Sequence, residues 1–157
     1  MSTTTHTDRR DTLVAGLRRT AFAAIVALLL EYGFGLFLFG TTPTPAHGAG
    51  LFVAFGIAIS SGPATLIIHA VLGSAIVLGG IMSLIRAVQT RLPSIIILNA
   101  LAAVAIALAW LAGASTANDP MGPAGRVMGV TTGIAILVYV FVLFRTSKPV
   151  NGARASS

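Results

Sequence analysis

Four stretches of about twenty mostly apolar residues dominate this sequence of 157 residues, and they constrain its fold more than any other feature. A hydrocarbon core about 30 Å thick is crossed by a helix of roughly 20 residues, because each residue adds about 1.5 Å. Inside lipid the backbone has no water to bind, so such stretches fold as α-helices. The sequence therefore predicts an all-α bundle of four transmembrane helices. The spans cover about residues 20–40, 64–86, 94–112 and 123–144.

The composition excludes an ordinary soluble domain. Hydrophobic residues make up 55% of the chain and charged residues only 9%, whereas a soluble domain carries about a quarter charged residues. The chain has no cysteine, which excludes disulfides, thiolate metal sites and iron–sulfur clusters. No nucleophile with a matching base and no nucleotide-binding loop is apparent in the sequence. We therefore expect a protein without catalytic residues or a metal site, and not an enzyme.

The segments outside the four spans are of two kinds. Residues 1–12 and 146–157 are polar and are predicted to be disordered, so that the membrane domain occupies 13–145. An apolar piece of 10 residues, LFVAFGIAIS from Leu51, is too short to span and predicts an interfacial or re-entrant helix. The first apolar run contains Glu31 and exceeds the ~7–15 apolar residues of a signal peptide, so we expect a span and no cleavage.

The basic residues predict the orientation. In the four-span arrangement only Arg126 of the ten lies on the side opposite to the others. Lys and Arg concentrate in cytoplasmic loops, so both termini are expected in the cytoplasm of a bacterium, with the protein in its inner membrane. These charges sit at the ends of apolar runs and form no surface for nucleic acid. The nine basic residues on the predicted cytoplasmic side are Arg9, Arg10, Arg18, Arg19, Arg86, Arg91, Arg145, Lys148 and Arg154.

Three ionisable residues fall within the predicted spans: Glu31, His69 and Arg126. From the helix rise they lie roughly 13, 8 and 5 Å below the outer boundary, so we predict a polar cluster in the outer half of the bilayer. Such groups are costly in lipid and usually face the bundle interior. Small residues share their faces, and small residues let helices approach closely. They are Thr20, Ala24, Ala27 and Gly35 beside Glu31, Gly73 and Gly80 beside His69, and Gly125, Gly129 and Gly133 around Arg126.

The first interpretation of this cluster is structural. The three ionisable groups would neutralise one another and fix which helices pair, within a non-enzymatic accessory, scaffold or partner-binding subunit. Besides the lipid bilayer, a second copy of the chain or another membrane protein would bind through the glycine-rich faces. Elsewhere Asn99 is predicted to form an interhelical hydrogen bond, and Trp110 and Tyr139 are predicted to be interface anchors.

Two other interpretations give the cluster a function. In one, Glu31 titrates on a proton or small-solute path, whose inner half offers Ser83, Asn99 and Tyr139. In the other, His69 binds a b-type haem, because neutral imidazole is a good iron ligand. His47 in the outer loop would be its second ligand, Arg126 would meet a propionate, and Gly73 and Gly80 would leave room for the macrocycle. By helical rotation Met128 is expected to point away from the glycine face.

One stretch resembles known membrane proteins. The segment GPATLIIHAVLGSAIVLGGIMSLIRAVQTR, from Gly62 to Arg91, resembles a group of small four-helix membrane proteins from actinobacteria and relatives. A more distant similarity to cytochrome b561-like bundles lies in His69-Ala70 followed by Leu72-Gly73. The first resemblance implies the four-helix architecture without an activity. The second implies haem, although spans three and four contain no histidine.

Overall fold

A computed structural model describes residues 4–38, 50–118 and 123–147, and in these ranges the chain forms five α-helices. Four of them are long and apolar enough to cross a membrane, which confirms the predicted all-α, four-span architecture of a small integral membrane protein. His47 and the tail after Ser147 lie outside the described residues. The helices are α1 (Thr4–Leu38), α2 (Leu51–Ser61), α3 (Ala64–Thr90), α4 (Pro93–Asn118) and α5 (Ala124–Ser147).

The four long helices form a closed ring. Helix α1 packs against α3 and α5, and α4 packs against the same two helices on the opposite side. The core between them is built from small and branched residues, which allow close helix packing. The short helix α2 packs on α3 and α4, and its Ala54 and Ala58 are buried against them. A short apolar helix packed on one side of the bundle agrees with the predicted interfacial or re-entrant segment.

Several helices extend further than their apolar runs. Helix α1 begins at Thr4, although residues 1–12 were expected to be disordered. Adding a residue to an existing helix avoids the unfavourable nucleation step, which explains the extension into polar sequence. Helix α4 was expected to end before Gly113 but continues to Asn118. A Cβ at Gly113 would lie 3.1 Å from Met128 Sδ, so this glycine admits a neighbouring side chain and does not end the helix.

Buried polar residues join the helices at the end of the bundle remote from α2. Ser83 Oγ on α3 donates a hydrogen bond of 2.7 Å to Asn99 Oδ1 on α4, which confirms the interhelical role of Asn99. The prediction of Tyr139 as an interface anchor is wrong, because its side chain is 0% exposed. Its hydroxyl lies beside Ser83 without the alignment of a hydrogen bond, and it has no other partner among the described residues.

Two exposed residues at opposite ends of α3 offer a test of the predicted orientation. Ser61 is the last residue of α2, and only Gly62 and Pro63 separate it from α3. Gln89 lies in the last turn of α3, and the chain has no native cysteine. In intact bacterial cells a membrane-impermeant maleimide should label Ser61→Cys at once, and Gln89→Cys only after the membrane is permeabilised. The opposite pattern would reverse the proposed topology, and equal labelling of both would contradict the placement of α3 across the membrane.

Candidate functional site

A cavity of about 650 Å³ opens at the end of the bundle where α2 packs. All five helices contribute to its wall, which is mostly apolar and carries a few convergent polar groups. Leu28, Ile76 and Ile106 form its floor and belong to the buried core. Under the predicted orientation the cavity lies in the outer half of the bilayer.

The predicted polar residues Glu31 and His69 meet in the wall of this cavity. Glu31 Oε1 lies 3.0 Å from His69 Nδ1, and the two side chains are 14% and 16% exposed. The imidazole N–H is not aligned with the carboxylate, so the contact is electrostatic and His69 Nδ1 makes no regular hydrogen bond. Glu31 Oε2 is also buried and has no hydrogen-bond partner among the described residues. This oxygen of the carboxylate is thus unsatisfied, although in this side-chain position it is not open to the cavity.

Arg126 is near this pair but is not joined to it. Its side chain lines the cavity and is exposed. Within the described residues no ion pair connects Arg126 to Glu31, and the short contact in the cavity wall is between Glu31 and His69. The structure therefore brings together two of the three predicted cluster residues and places the third in the same wall, in the first turn of α5.

Side chains from neighbouring helices occupy the space beside the glycines near this pair. A Cβ at Gly73 would lie 2.8 Å from Glu31 Oε1, and one at Gly80 would lie 3.2 Å from Ile106 Cδ1. The space that the haem interpretation assigned to a macrocycle at these two positions is therefore occupied. A Cβ at Gly73 cannot be added without moving the carboxylate, so this glycine sets the position of the Glu31 side chain.

Met128 lies on the inner side of α5, in contrast to the rotation argument from sequence. A Cβ at Gly35 would lie 3.3 Å from Met128 Cε and 3.6 Å from His69 Cε1. Because α5 packs against both α1 and α4, two of its faces point into the bundle. Gly129 faces Tyr32 on α1, while Met128 reaches the gap between α1 and α4. The glycine face therefore identifies only one of the two sides of α5 that point into the bundle.

Aromatic side chains complete the wall. Trp110 Nε1 donates a hydrogen bond of 3.1 Å to Ser74 Oγ, which fixes the indole ring. Phe55 of α2 meets Trp110 edge to face, with ring centroids 5.0 Å apart and an interplanar angle of 60°. Both rings line the cavity, as does Tyr32. Trp110 was predicted only as an interface anchor, because periodicity within α4 gives no sign of a partner on α2.

An apolar layer separates this cavity from the buried polar residues at the other end. Gly73 lies beside Glu31, and a Cβ added at Gly80 would lie 3.9 Å from Tyr139 Oη. These two glycines are seven positions apart on α3, which is about 10 Å along the helix axis. Leu28, Ile76 and Ile106 pack in this interval. The arrangement favours a binding cavity over a continuous polar path.

The volume and lining of the cavity are typical of pockets that bind small molecules. Pockets for small molecules are typically concave, mostly apolar and about 300–1,000 Å³ in volume, with a few polar groups that orient the ligand. The carboxylate–imidazole pair supplies such groups, and the aromatic rings supply flat apolar surface. Comparison with protein-family models, curated proteins and solved structures gives no match for this chain.

Proposed function

We propose that this protein is a non-enzymatic, ligand-binding protein of the bacterial inner membrane, with both termini in the cytoplasm. Its cavity binds a small lipophilic molecule that carries one polar group, and this group lies at the Glu31–His69 pair. The observation that carries the proposal is Glu31 Oε2, which is buried in the wall of a cavity of about 650 Å³ without a partner.

A purely structural clamp explains less of this geometry. The Glu31–His69 contact does join α1 to α3, as a clamp would. A buried acceptor without a partner costs about 1–3 kcal/mol, and a clamp provides nothing to offset this cost at Oε2. A ligand that fills the apolar volume and binds the Glu31 carboxylate offsets it. The protein can still be the ligand-binding subunit of a larger membrane assembly.

The proposal is tested through the single tryptophan of the chain, which lies in the cavity wall. We expect at least one of three compounds with the same apolar body, namely adamantanol, adamantylammonium and adamantanecarboxylate, to change Trp110 fluorescence saturably in detergent. Ala70 lines the cavity, so Ala70→Leu should fill part of the volume and weaken binding at least about tenfold.

The matched control is Ala23→Leu, because Ala23 is exposed on α1 and the same atoms are added outside the cavity. Its affinity should equal that of the wild type. Unchanged affinity in a folded Ala70→Leu variant would place the probes elsewhere on the protein. An absence of saturable binding by all three compounds would contradict the proposed function.

Haem is the second candidate, and one observation favours it. His69 Cε1 and Met128 Cε lie within 3.6 and 3.3 Å of the same point beside Gly35, so an imidazole and a thioether converge from α3 and α5. His and Met together are a known axial pair for haem iron. A Soret band in protein expressed with added haem, lost in His69→Ala, would assign the cavity to haem. A colourless preparation would exclude haem, and the lipophilic ligand would remain as the candidate.

A further inference from the structure

We propose that the ligand is a lipophilic organic cation, such as a protonated amine on an apolar body, with its positive group at the Glu31 carboxylate. This inference rests on the proposed function and specifies its ligand. It follows from three features of the cavity, which are the charge of its wall, the unsatisfied carboxylate and the aromatic rings.

The charge around the cavity favours a cation at Glu31. Glu31 is the one acidic residue among the described cavity residues, and the ionisable groups that accompany it are Tyr32 on α1, His69 on α3 and Arg126 on α5. The Glu31 carboxylate is therefore the source of negative charge among the described cavity residues. A negative charge buried in a membrane protein is stable only when it is paired. Among the described residues the carboxylate has one close contact, 3.0 Å from Oε1 to His69 Nδ1, and its Oε2 has no hydrogen-bond partner.

The Glu31 carboxylate requires a hydrogen-bond donor. A carboxylate oxygen only accepts hydrogen bonds, so the ligand group at Glu31 must donate. An ammonium group donates up to three hydrogen bonds and carries the complementary charge. A hydroxyl group can donate as well, but a hydrogen bond between two ionised groups is roughly twice as strong as one between neutral groups. The ammonium head should therefore bind more tightly than the hydroxyl.

The aromatic rings in the wall also favour a bound cation. A cation within about 6 Å of the face of a Trp, Tyr or Phe ring is attracted by the negative potential of that face, and Trp is the strongest. Trp110, Phe55 and Tyr32 all line the cavity. Because the Ser74 hydrogen bond and the Phe55 contact hold the Trp110 ring, no side-chain order has to be gained on binding.

Arg126 is the group that opposes a cation. Its charge is positive, but its side chain is exposed and lies in the first turn of α5. An exposed charge is screened by water and ions far more than a buried one. The buried carboxylate should therefore determine which charge the cavity selects.

The three adamantyl compounds separate these possibilities, because they share one body and differ only in the charge of the head. We expect adamantylammonium to bind wild-type protein at least about tenfold more tightly than adamantanol, and adamantanecarboxylate to bind most weakly. Glu31→Gln keeps the shape of the side chain and removes the charge. In this variant the preference for the ammonium head should fall to about twofold or less, with the affinity for adamantanol retained.

Each other outcome overturns one specific claim. Similar affinities of the three compounds, all lost in Ala70→Leu, would disprove the cation inference while the proposed ligand-binding function stands. Tightest binding of adamantanecarboxylate, lost in Arg126→Gln, would make the cavity an anion site. Binding of none of them would overturn the proposed function itself. The comparison of the three compounds on wild-type protein fixes the preferred charge even where Glu31→Gln does not fold.

Discussion

The Gly73→Ala variant should bind its preferred adamantyl compound at least about tenfold more weakly than the wild type, yet unfold at the same temperature or higher. The added Cβ would lie 2.8 Å from Glu31 Oε1, a separation that real Cβ atoms essentially never show. The carboxylate must therefore move and give up its 3.0 Å contact with His69 Nδ1. The backbone can stay in place, and alanine favours a helix over glycine by about 1 kcal/mol. Binding and stability should thus change in opposite directions.

The control is Gly79→Ala on the same helix, where a Cβ would have nothing within 4 Å. It gains the same helix propensity and should bind like the wild type. Affinity is measured by Trp110 fluorescence and stability by thermal unfolding in the same detergent. Equal affinities of the two alanine variants would show that the position of the Glu31 carboxylate does not determine binding.

Tyr139→Ala should lower the free energy of unfolding by about 3 kcal/mol. Tyr139 is 0% exposed and packs in the main core cluster, so its removal leaves a large cavity among the helices. Replacing a buried aromatic residue by alanine costs about 3–5 kcal/mol in soluble proteins. The lower end applies here, because lipid gives no hydrophobic driving force between helices and only the packing is lost. Unfolding by sodium dodecyl sulfate in mixed micelles measures the difference.

Tyr139→Phe separates the ring from the hydroxyl. Tyr139 Oη is buried and has no hydrogen-bond partner among the described residues, so its removal should leave the free energy of unfolding unchanged or raise it by about 1–3 kcal/mol. A loss in Tyr139→Phe as large as that in Tyr139→Ala would mean that the hydroxyl is bonded in the membrane. The inner polar residues would then form a continuous network with Ser83 and Asn99.

The architecture could be predicted because the length of an apolar run is a sufficient signal for a membrane-spanning helix. The inward orientation of Glu31 and His69 could also be predicted, since ionisable groups in lipid must turn inward. Their pairing could not, because the depths estimated from the sequence place His69 nearer to Arg126 than to Glu31. The end of α4 could not be predicted either. In the sequence Gly113 resembles a helix stop signal, but in the structure it leaves room for the Met128 thioether.

The wall of the cavity was also beyond sequence reasoning. The contact of Phe55 with Trp110 joins α2 to α4 across 55 residues of chain, and neither helix carries a pattern that points to the other. The burial of Tyr139 could not be predicted either. Its position near the end of an apolar run is typical of an interface anchor, and only the packing of α5 between α1 and α4 places it in the core.

The apolar layer of Leu28, Ile76 and Ile106 closes the cavity on one side. A molecule held there has to leave by the way it came, and its occupancy follows its concentration on that side alone. Net movement across the membrane would need a second conformation in which this layer opens. Under the proposed function, the conformation described would bind its ligand from one side of the membrane only.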